Sequence, residues 1–285
     1  MEKLAIVGVF YDGYYDLWED FLECFERFWP NCPYKKYIIN NVRELEYEKK
    51  YKVEVIHAGE DAEYSRKVQT AIKCIDADYY LLLLDDFFMG EMIYKDPLSD
   101  IIRFMKRENI DYYSMPLKEF QTNNGKKIYK NISYLRKILP KSEYTVSCQP
   151  AIWKRDFLKA CIGEENYNAW VFEGIYTKSK LAHSECFLER LCVDQRNVLH
   201  LYHGALQGAI IPDTYEHFIS IGYRFRSKRK ILSNQQYQNH KKKVKLKEIV
   251  PVFIIKIIKK FLKTNSVIDR YKREINETMR KMGIE

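Results

Sequence analysis

A chain of 285 residues, of which 46% are hydrophobic and 15% aromatic, has the composition of a globular protein with a substantial core rather than of a disordered one. Its seven cysteines include no C-x-x-C pair and fall largely within apolar patterns, which favours reduced thiols over a disulfide framework or a zinc site. The N-terminal sequence enters a predicted strand without the apolar region of a secretion signal, so we expect a cytoplasmic location.

The formal net charge of +9 is unevenly distributed along the chain. Residues 223–263 contain 14 Lys and Arg and a single acidic residue, Glu248, whereas the rest of the chain is mildly acidic. A polybasic segment joined to an acidic body argues for an anionic surface as partner, either a membrane or a nucleic acid.

Strands and helices alternate over the first 115 residues. Apolar runs predict strands at 4–10, 37–39, 53–57, 79–84 and 112–115. Apolar spacings of three and four predict helices at 17–29, 65–75 and 97–105, with Ser65 as a candidate helix cap. The alternation predicts an α/β fold with a doubly wound, mostly parallel sheet. Neither G-x-G-x-x-G after the first strand nor G-x-x-x-x-G-K-[ST] occurs, which argues against a dinucleotide-binding fold and a P-loop NTPase.

The alternation ends after residue 115. Asn123-Asn124-Gly125 predicts a tight turn between two hairpin strands. Further strands are predicted at 145–153 and 198–202, and a helix at 156–162. We therefore divide the chain into a folded domain over 1–222, with halves of about 1–115 and 116–222, and a basic helical tail over 223–285.

The apolar run from Tyr79 to Leu84 is followed directly by the acidic pair Asp85 and Asp86. Such a run is typical of a strand buried on both faces of a sheet. Ligands of open α/β sheets bind at the carboxyl ends of strands, and two carboxylates there suit Mg²⁺ or Mn²⁺, which can bridge to a diphosphate. The alternative is a structural turn in which one aspartate caps the next segment and the other is solvated.

Five motifs, in this order along the chain, resemble those of GT-A type glycosyltransferases of bacterial capsule, exopolysaccharide and lipopolysaccharide clusters, distant relatives of the family-two enzymes. The motifs are Tyr14-Tyr15-Asp16-Leu17-Trp18, Ser65-Arg66, the run from Tyr80 to Phe88, the run from Ser147 to Trp153, and Trp170-Val171-Phe172-Glu173. The resemblance covers roughly residues 4–215. It implies a metal-dependent enzyme that transfers a sugar from a nucleotide-diphosphate-sugar donor, with inversion as the expected stereochemistry.

The resemblance also implies a metal site. Asp85 and Asp86 would stand for a D-x-D motif that holds Mn²⁺ or Mg²⁺, and His203 would complete the site. Because no residue separates the two aspartates, the sequence leaves open which one ligates the ion and whether Asp85 lies nearer the ribose. For His203 the alternative is an ordinary hydrogen-bonded histidine.

The same resemblance implies a donor site on the neighbouring elements. Tyr11 and Asp12 would lie near the base and ribose, and Ser65 and Arg66 would reach the nucleotide or its phosphates. A surface charge at a helix start is the alternative for Arg66. Gln149 and Trp153 would line the donor or acceptor pocket, with core packing as the alternative for Trp153. Trp170 would stack on a sugar face.

Glu173 is the candidate catalytic base. An inverting transfer needs one carboxylate to take the proton of the acceptor hydroxyl, and apolar neighbours such as Trp170 and Phe172 can raise the pKa of a carboxylate to a useful value. The alternative is a solvated surface glutamate.

The tail is predicted to contain a basic amphipathic helix over 249–263, with lysines three and four residues apart and isoleucine and phenylalanine on the remaining face. Together with the rest of 223–263, it would bind an anionic membrane surface. The alternative is packing on the body or on a second copy of the chain in a homo-oligomer.

The predicted function is that of a glycosyltransferase of bacterial surface polysaccharide synthesis, peripheral at the inner face of the cell membrane. Its acceptor would be a saccharide or a polyprenyl-diphosphate-linked sugar. A nucleotidyltransferase of related fold is the first alternative, although it should show a Gly-rich basic loop after the first strand. A noncatalytic membrane or nucleic-acid adaptor is the second, but nucleic acid fits less well because the body is acidic and offers no recognisable binding module.

Overall fold

The computed structural model describes residues 2–121, 126–140, 142–239, 241 and 266–285. The strands are β1 (Leu4–Val9), β2 (Lys35–Asn40), β3 (Val53–His57), β4 (Tyr79–Leu84), β5 (Phe87–Met89), β6 (Tyr112–Ser114), β7 (Lys126–Tyr129), β8 (Ile132–Ile138), β9 (Ala151–Lys154), β10 (Leu191–Asp194), β11 (Leu201–His203), β12 (Ala205–Leu206) and β13 (Ala209–Ile210). Nine of them form one sheet in the order β3-β2-β1-β4-β9-β6-β10-β8-β7.

The helices are α1 (Tyr15–Phe28), α2 (Glu48–Tyr51), α3 (Tyr64–Cys74), α4 (Leu98–Glu108), α5 (Arg155–Ile162), α6 (Ala169–Lys178), α7 (Glu185–Leu188), α8 (Pro212–Ser220) and a C-terminal helix (Ser266–Met282). A short 3-10 helix, Asp12–Tyr14, connects β1 to α1. None of the described helices is long and apolar enough to cross a membrane.

The sheet is mixed. Strands β3, β2, β1 and β4 are parallel, and β6 is parallel to β10, but β9 runs antiparallel between β4 and β6. Helices cover both faces, as the two hydrophobic clusters show: Leu81 and Leu83 of β4 pack with α1 and α4, whereas Tyr80 and Leu82 pack with α3, α5 and α6. The predicted doubly wound α/β fold is confirmed.

The structure adds detail to the region after residue 115. The hairpin β7–β8 turns at Lys130 and Asn131, both at positive φ, as a two-residue turn of the I′ type requires. The predicted turn residues 123–125 lie outside the described residues. The strand predicted at 145–153 is shorter, because β9 begins only at Ala151, and β10 was not predicted.

Helix α3 begins one residue earlier than expected, with Glu63 at its N-cap, so Ser65 does not cap it. Phe87 and Phe88 are buried in β5, which pairs with β11. Their burial explains why two aromatic residues follow the acidic pair.

Residues 223–232, which we call the strap, pack against the acidic side of α1. Asp20 is fully buried and accepts hydrogen bonds from Tyr223 Oη (2.7 Å) and from the backbone N–H groups of Arg226 (3.0 Å) and Ser227 (3.2 Å). Asp16 accepts from both Nε (2.8 Å) and Nη2 (2.7 Å) of Arg229. Part of the basic charge assigned to the tail is therefore neutralised within the protein.

The C-terminal helix packs on α6 through a stripe that includes the buried residues Ile275 and Met279. The predicted amphipathic helix over 249–263 lies outside the described residues.

Candidate functional site

The acidic pair lies where the strand order reverses. The chain proceeds from β1 outward to β2 and β3, and then returns to add β4 on the other side of β1. The carboxyl ends of β1 and β4 therefore border the crevice in which ligands of doubly wound sheets bind. Tyr11, which follows β1, donates its backbone N–H to Asp85 Oδ2 over 2.8 Å and exposes 59% of its surface.

Asp85 is buried, with 6% of its surface exposed. Burial, followed by the charge of Asp86, raises its pKa to about 7, although the Tyr11 N–H, the Trp18 indole and the Lys67 charge act in the opposite direction. The indole nitrogen of Trp18 is buried and makes no hydrogen bond of acceptable geometry. An ionised Asp85 therefore lacks the full set of partners that a buried carboxylate needs.

The two carboxylate oxygens of Asp86 have different surroundings. Its Oδ2 lies 3.3 Å from His203 Nε2, and its Oδ1 is buried and has no hydrogen-bond partner among the described residues. The pairing of β5 with β11 sets this contact, because it places His203 opposite Phe87. Burial lowers the pKa of His203, but the hydrogen bond and charge of Asp86 and the charge of Glu119 outweigh it, so that the pKa is raised overall.

Gly204 allows the chain to pass this close to the acidic pair. Its N–H donates to the Asp86 carbonyl over 2.6 Å, and a Cβ at this position would lie 2.0 Å from a ring carbon of Phe88. Any larger residue would push β11, and with it His203, away from Asp86.

Within the described residues, no group of three or more His, Cys, Asp or Glu side chains is arranged to hold a metal ion. Two observations nevertheless fit a divalent cation. Asp86 Oδ1, which has no hydrogen-bond partner among the described residues, is an oxygen ligand of the kind that divalent cations bind. The adjacent Asp85 carboxylate and His203 imidazole are ligand types that Mn²⁺ also accepts.

Asp12 has a role that the sequence did not reveal. Its two carboxylate oxygens accept hydrogen bonds from Asn40 Nδ2 (3.1 Å) and from the backbone N–H groups of Asn41 (3.0 Å), Val42 (3.1 Å) and Arg43 (3.0 Å). These bonds hold the loop after β2 against the end of β1. Asp12 thus shapes the predicted base-binding region, with its carboxylate already engaged by the protein.

Ser65 is fully buried. Its hydroxyl donates to the Glu165 carbonyl and accepts from the Tyr167 N–H, each over 2.7 Å, so it ties α3 to the loop before α6 and does not face a ligand. This corrects the expectation that Ser65 reaches the nucleotide. Arg66, next to it, is exposed.

Lys67 is the site residue that sequence reasoning missed. It is 4% exposed, its Nζ lies 5.6 Å from the centre of the Tyr11 ring, and its ammonium group makes no hydrogen bond or ion pair with the described residues. Burial lowers its pKa, while the charges of Asp12 and Asp85 raise it in part. The available signal was its position four residues before Ala71, on the apolar stripe of α3.

Glu173 reaches the same edge of the sheet. Because β9 is antiparallel to β4, with Ala151 opposite Leu82, the residues before Ala151 lie at the carboxyl end of β4. Cys148 in this segment donates its backbone N–H to Glu173 Oε1 over 3.0 Å. Burial raises the pKa of Glu173, and this hydrogen bond offsets part of the rise.

The side chains around Glu173 differ from the expected apolar wall. Phe172 is fully buried, and Trp170 is 70% exposed on the first turn of α6, three residues before Glu173. Gln149 Oε1 accepts from the Leu117 N–H over 3.2 Å and so fixes a neighbouring loop. Tyr144 has a φ of 52° and exposes 56% of its surface. The pKa of its hydroxyl is raised, first by partial burial and then by the charge of nearby Glu173.

A cavity of about 530 Å³ opens beside the start of α1. It is lined by Tyr15, Trp18, Tyr47 and the strap residues Arg226 and Arg229. The strap forms one wall of this cavity, and Trp18, which also lines it, is a neighbour of Asp85.

No family model matches the sequence, and no curated protein matches it. Among solved structures, the chain is similar to S. aureus TarS residues 1–349 in complex with UDP-GlcNAc, with 14% identity, a TM-score of 0.47 and coverage of 77% of this chain and 65% of that one. It is also similar to a longer S. aureus TarS chain, of which it spans only 39%, with 14% identity over 77% of this chain and a TM-score of 0.45. A CMP:2-keto-3-deoxy-manno-octonic acid synthetase complexed with CTP is 12% identical over 78% of this chain and 98% of that one, with a TM-score of 0.43.

Proposed function

We propose that this protein is a GT-A type glycosyltransferase that moves a sugar from a nucleotide-diphosphate-sugar donor to a saccharide or lipid-linked acceptor. The observation that carries the proposal is the placement of Asp85 and Asp86 at the reversal of the strand order, with Asp86 Oδ1 buried and unpartnered. A site that leaves a buried carboxylate oxygen unsatisfied is suited to a cationic ligand.

In this proposal Asp86 and His203, with Asp85 beside them, hold Mn²⁺ or Mg²⁺. The ion would supply positive charge to the departing nucleotide diphosphate. Lys67, whose charge interacts with those of Asp12 and Asp85, would contribute a second positive charge, because its ammonium group forms no ion pair with the described residues.

Glu173 would act as the general base. The acceptor hydroxyl oxygen forms the new bond to the anomeric carbon, the bond from that carbon to the diphosphate oxygen breaks, and the hydroxyl proton passes to the free oxygen of Glu173. The Cys148 N–H holds the other oxygen and so fixes the orientation of the carboxylate. A single base on the acceptor side is the arrangement of an inverting transfer.

The test is incubation of the protein with a panel of UDP-, GDP-, TDP- and CMP-sugars, with and without Mn²⁺, followed by thermal shift and nucleotide release. We expect one class of donor to raise the melting temperature only with the metal, and nucleotide to be released when an acceptor is added. Release of diphosphate from a nucleoside triphosphate and a sugar phosphate would instead identify a nucleotidyltransferase. Absence of any metal-dependent nucleotide binding would contradict both enzyme assignments.

We also propose peripheral binding to an anionic membrane surface through the segment 249–263, at the cytoplasmic face of the cell membrane. The strap is a poor candidate for this contact, because Arg226 and Arg229 pair with carboxylates of α1. Deleting everything after Gly222 would therefore disturb the body as well as the membrane contact.

A charge-neutralising variant of the segment is the sharper test. The lysines to be changed to glutamine are Lys256, Lys259, Lys260 and Lys263. The matched control changes four exposed lysines of the body, Lys35, Lys49, Lys73 and Lys159. Only the first variant should lose co-sedimentation with vesicles of phosphatidylglycerol and phosphatidylcholine; equal binding by both variants would rule out this segment as the anchor.

A further inference from the structure

Helix α6 is held between two contacts made by adjacent residues. On one side Glu173 accepts the Cys148 N–H. On the other side Gly174 meets the C-terminal helix, where an added Cβ would lie 2.3 Å from Ile275 Cδ1 and 2.9 Å from its Cγ1. The candidate base is thus one residue away from the closest approach between the two helices.

Gly174 is in the interior of α6, where glycine is less favourable than alanine. Its φ is not in the left-handed region, so the backbone does not require glycine. Space is the remaining reason, since Ile275 occupies the volume that a side chain would need. The contact is therefore a close packing of two helices at a glycine.

The C-terminal helix is fixed on both sides of this contact. Met279 is buried in the cluster that contains α6, and Lys281 Nζ lies 2.9 Å from Glu165 Oε2 in the loop before α6. Near the end of the helix, Met282 covers Gly163. The helix therefore contacts both the loop before α6 and the middle of α6.

We infer that the C-terminal helix is a positioning element for Glu173, and that Ile275 is its positioning residue through the contact with Gly174. The inference rests on the proposed role of Glu173. A shift of α6 away from Ile275 would move the carboxylate relative to Cys148 and to the acceptor, whereas the acidic pair at the ends of β1 and β4 would keep its geometry.

Size complementation tests the inference. Gly174→Ala adds the clashing Cβ, Ile275→Ala removes the atoms that it would meet, and the double variant restores the fit. Arg273→Ala, on the exposed face of the same helix, is the matched control. The first readout is hydrogen–deuterium exchange of the peptide that contains Cys148, because its amide is protected by Glu173.

We expect faster exchange in each single variant, normal exchange in the double variant and no change in the control. The transfer rate, measured as nucleotide release with the donor that the nucleotide-sugar panel identifies, should fall about 10- to 100-fold in Gly174→Ala at unchanged donor affinity, and recover in the double variant. If Gly174→Ala does not fold, Ile275→Ala and the double variant still give the comparison.

Unchanged exchange in both single variants would overturn the inference, as would a double variant as impaired as Gly174→Ala. The proposed function has a separate test. If Glu173→Gln transfers sugar at the normal rate, Glu173 is not the general base. The exchange measurement does not depend on turnover, so it would still decide whether the helix positions this side chain.

Discussion

Asp86 and His203 face each other across the junction of β5 and β11, with Oδ2 3.3 Å from Nε2, while the second carboxylate oxygen of Asp86 is buried and unpaired in the part of the chain that the structure describes. If this oxygen binds the cation of a donor complex, Asp86→Asn should abolish Mn²⁺-dependent binding of nucleotide, because an amide is a weaker ligand without charge. His203→Gln should weaken it by about 10- to 100-fold.

Isothermal titration of UDP or the preferred nucleotide, with and without Mn²⁺, measures both effects. Asp100→Asn is a suitable control, since this aspartate is exposed and pairs with Arg103 on the outside of α4. Undiminished metal-dependent binding by Asp86→Asn would show that the orphaned oxygen has a different role.

Lys67→Met should weaken donor binding by roughly 10- to 100-fold, as expected for the loss of a hydrogen bond from a charged group to a phosphate. Methionine keeps much of the buried volume, so the fold should persist. Lys73→Met, on the exposed side of the same helix, controls for the loss of charge. Equal affinities of the two variants for the nucleotide would remove Lys67 from the donor site.

Glu173 should make stability and activity change in opposite directions with pH. Burial raises the pKa of Glu173 in the folded protein above its value in the unfolded chain. The contribution of Glu173 to stability is therefore fully present below the unfolded pKa and is lost as pH rises through the folded pKa. A general base must be ionised, so kcat should rise over the same window.

Urea denaturation and kcat, each measured from pH 4 to pH 8, check this prediction. Glu173→Gln should flatten the stability profile in that window and lose the rate, whereas the exposed Glu185→Gln should change neither. A stability profile unaffected by Glu173→Gln would mean that its pKa is not raised in the folded protein.

Asp20→Ala should lower the free energy of unfolding by about 3 kcal/mol or more, because it leaves the Tyr223 hydroxyl and the N–H groups of Arg226 and Ser227 without their buried acceptor. Glu26→Ala on the same helix removes a surface ion pair with Lys36 and should cost less than about 1 kcal/mol. Equal losses in urea denaturation would show that the strap adds little to stability.

The first half of the fold was predictable from the sequence because its strands and helices are local patterns. The run Tyr79 to Leu84 has no polar residue, and its six positions coincide with β4. The insertion of β9 between β4 and β6 was not predictable in the same way, because strand order depends on contacts between distant segments and not on periodicity. The turn at Lys130 and Asn131 was missed because neither residue is glycine.

One part of the candidate site, the acidic pair Asp85 and Asp86, was predictable because two carboxylates directly follow a run of apolar residues typical of a buried strand. The sequence did not predict which side chains of α3 are buried and which reach the site. Ser65 and Arg66 were expected to face the nucleotide, but Ser65 is buried, and it is the neighbouring Lys67 whose ammonium group lies near Asp85 and Tyr11. A helix places adjacent residues about 100° apart, so an error of one residue changes the face.

The antiparallel insertion of β9 also bears on how the chain assembles during synthesis. Leu81 pairs with Ile152, 71 positions later in the chain, so β4 has a free edge until that part of the chain has emerged. A chain that stopped before Ala151 would present the apolar strand β4 with an unpaired edge, which is a site for association with other chains. Nascent or truncated forms of this protein should therefore depend on chaperones until β9 is in place.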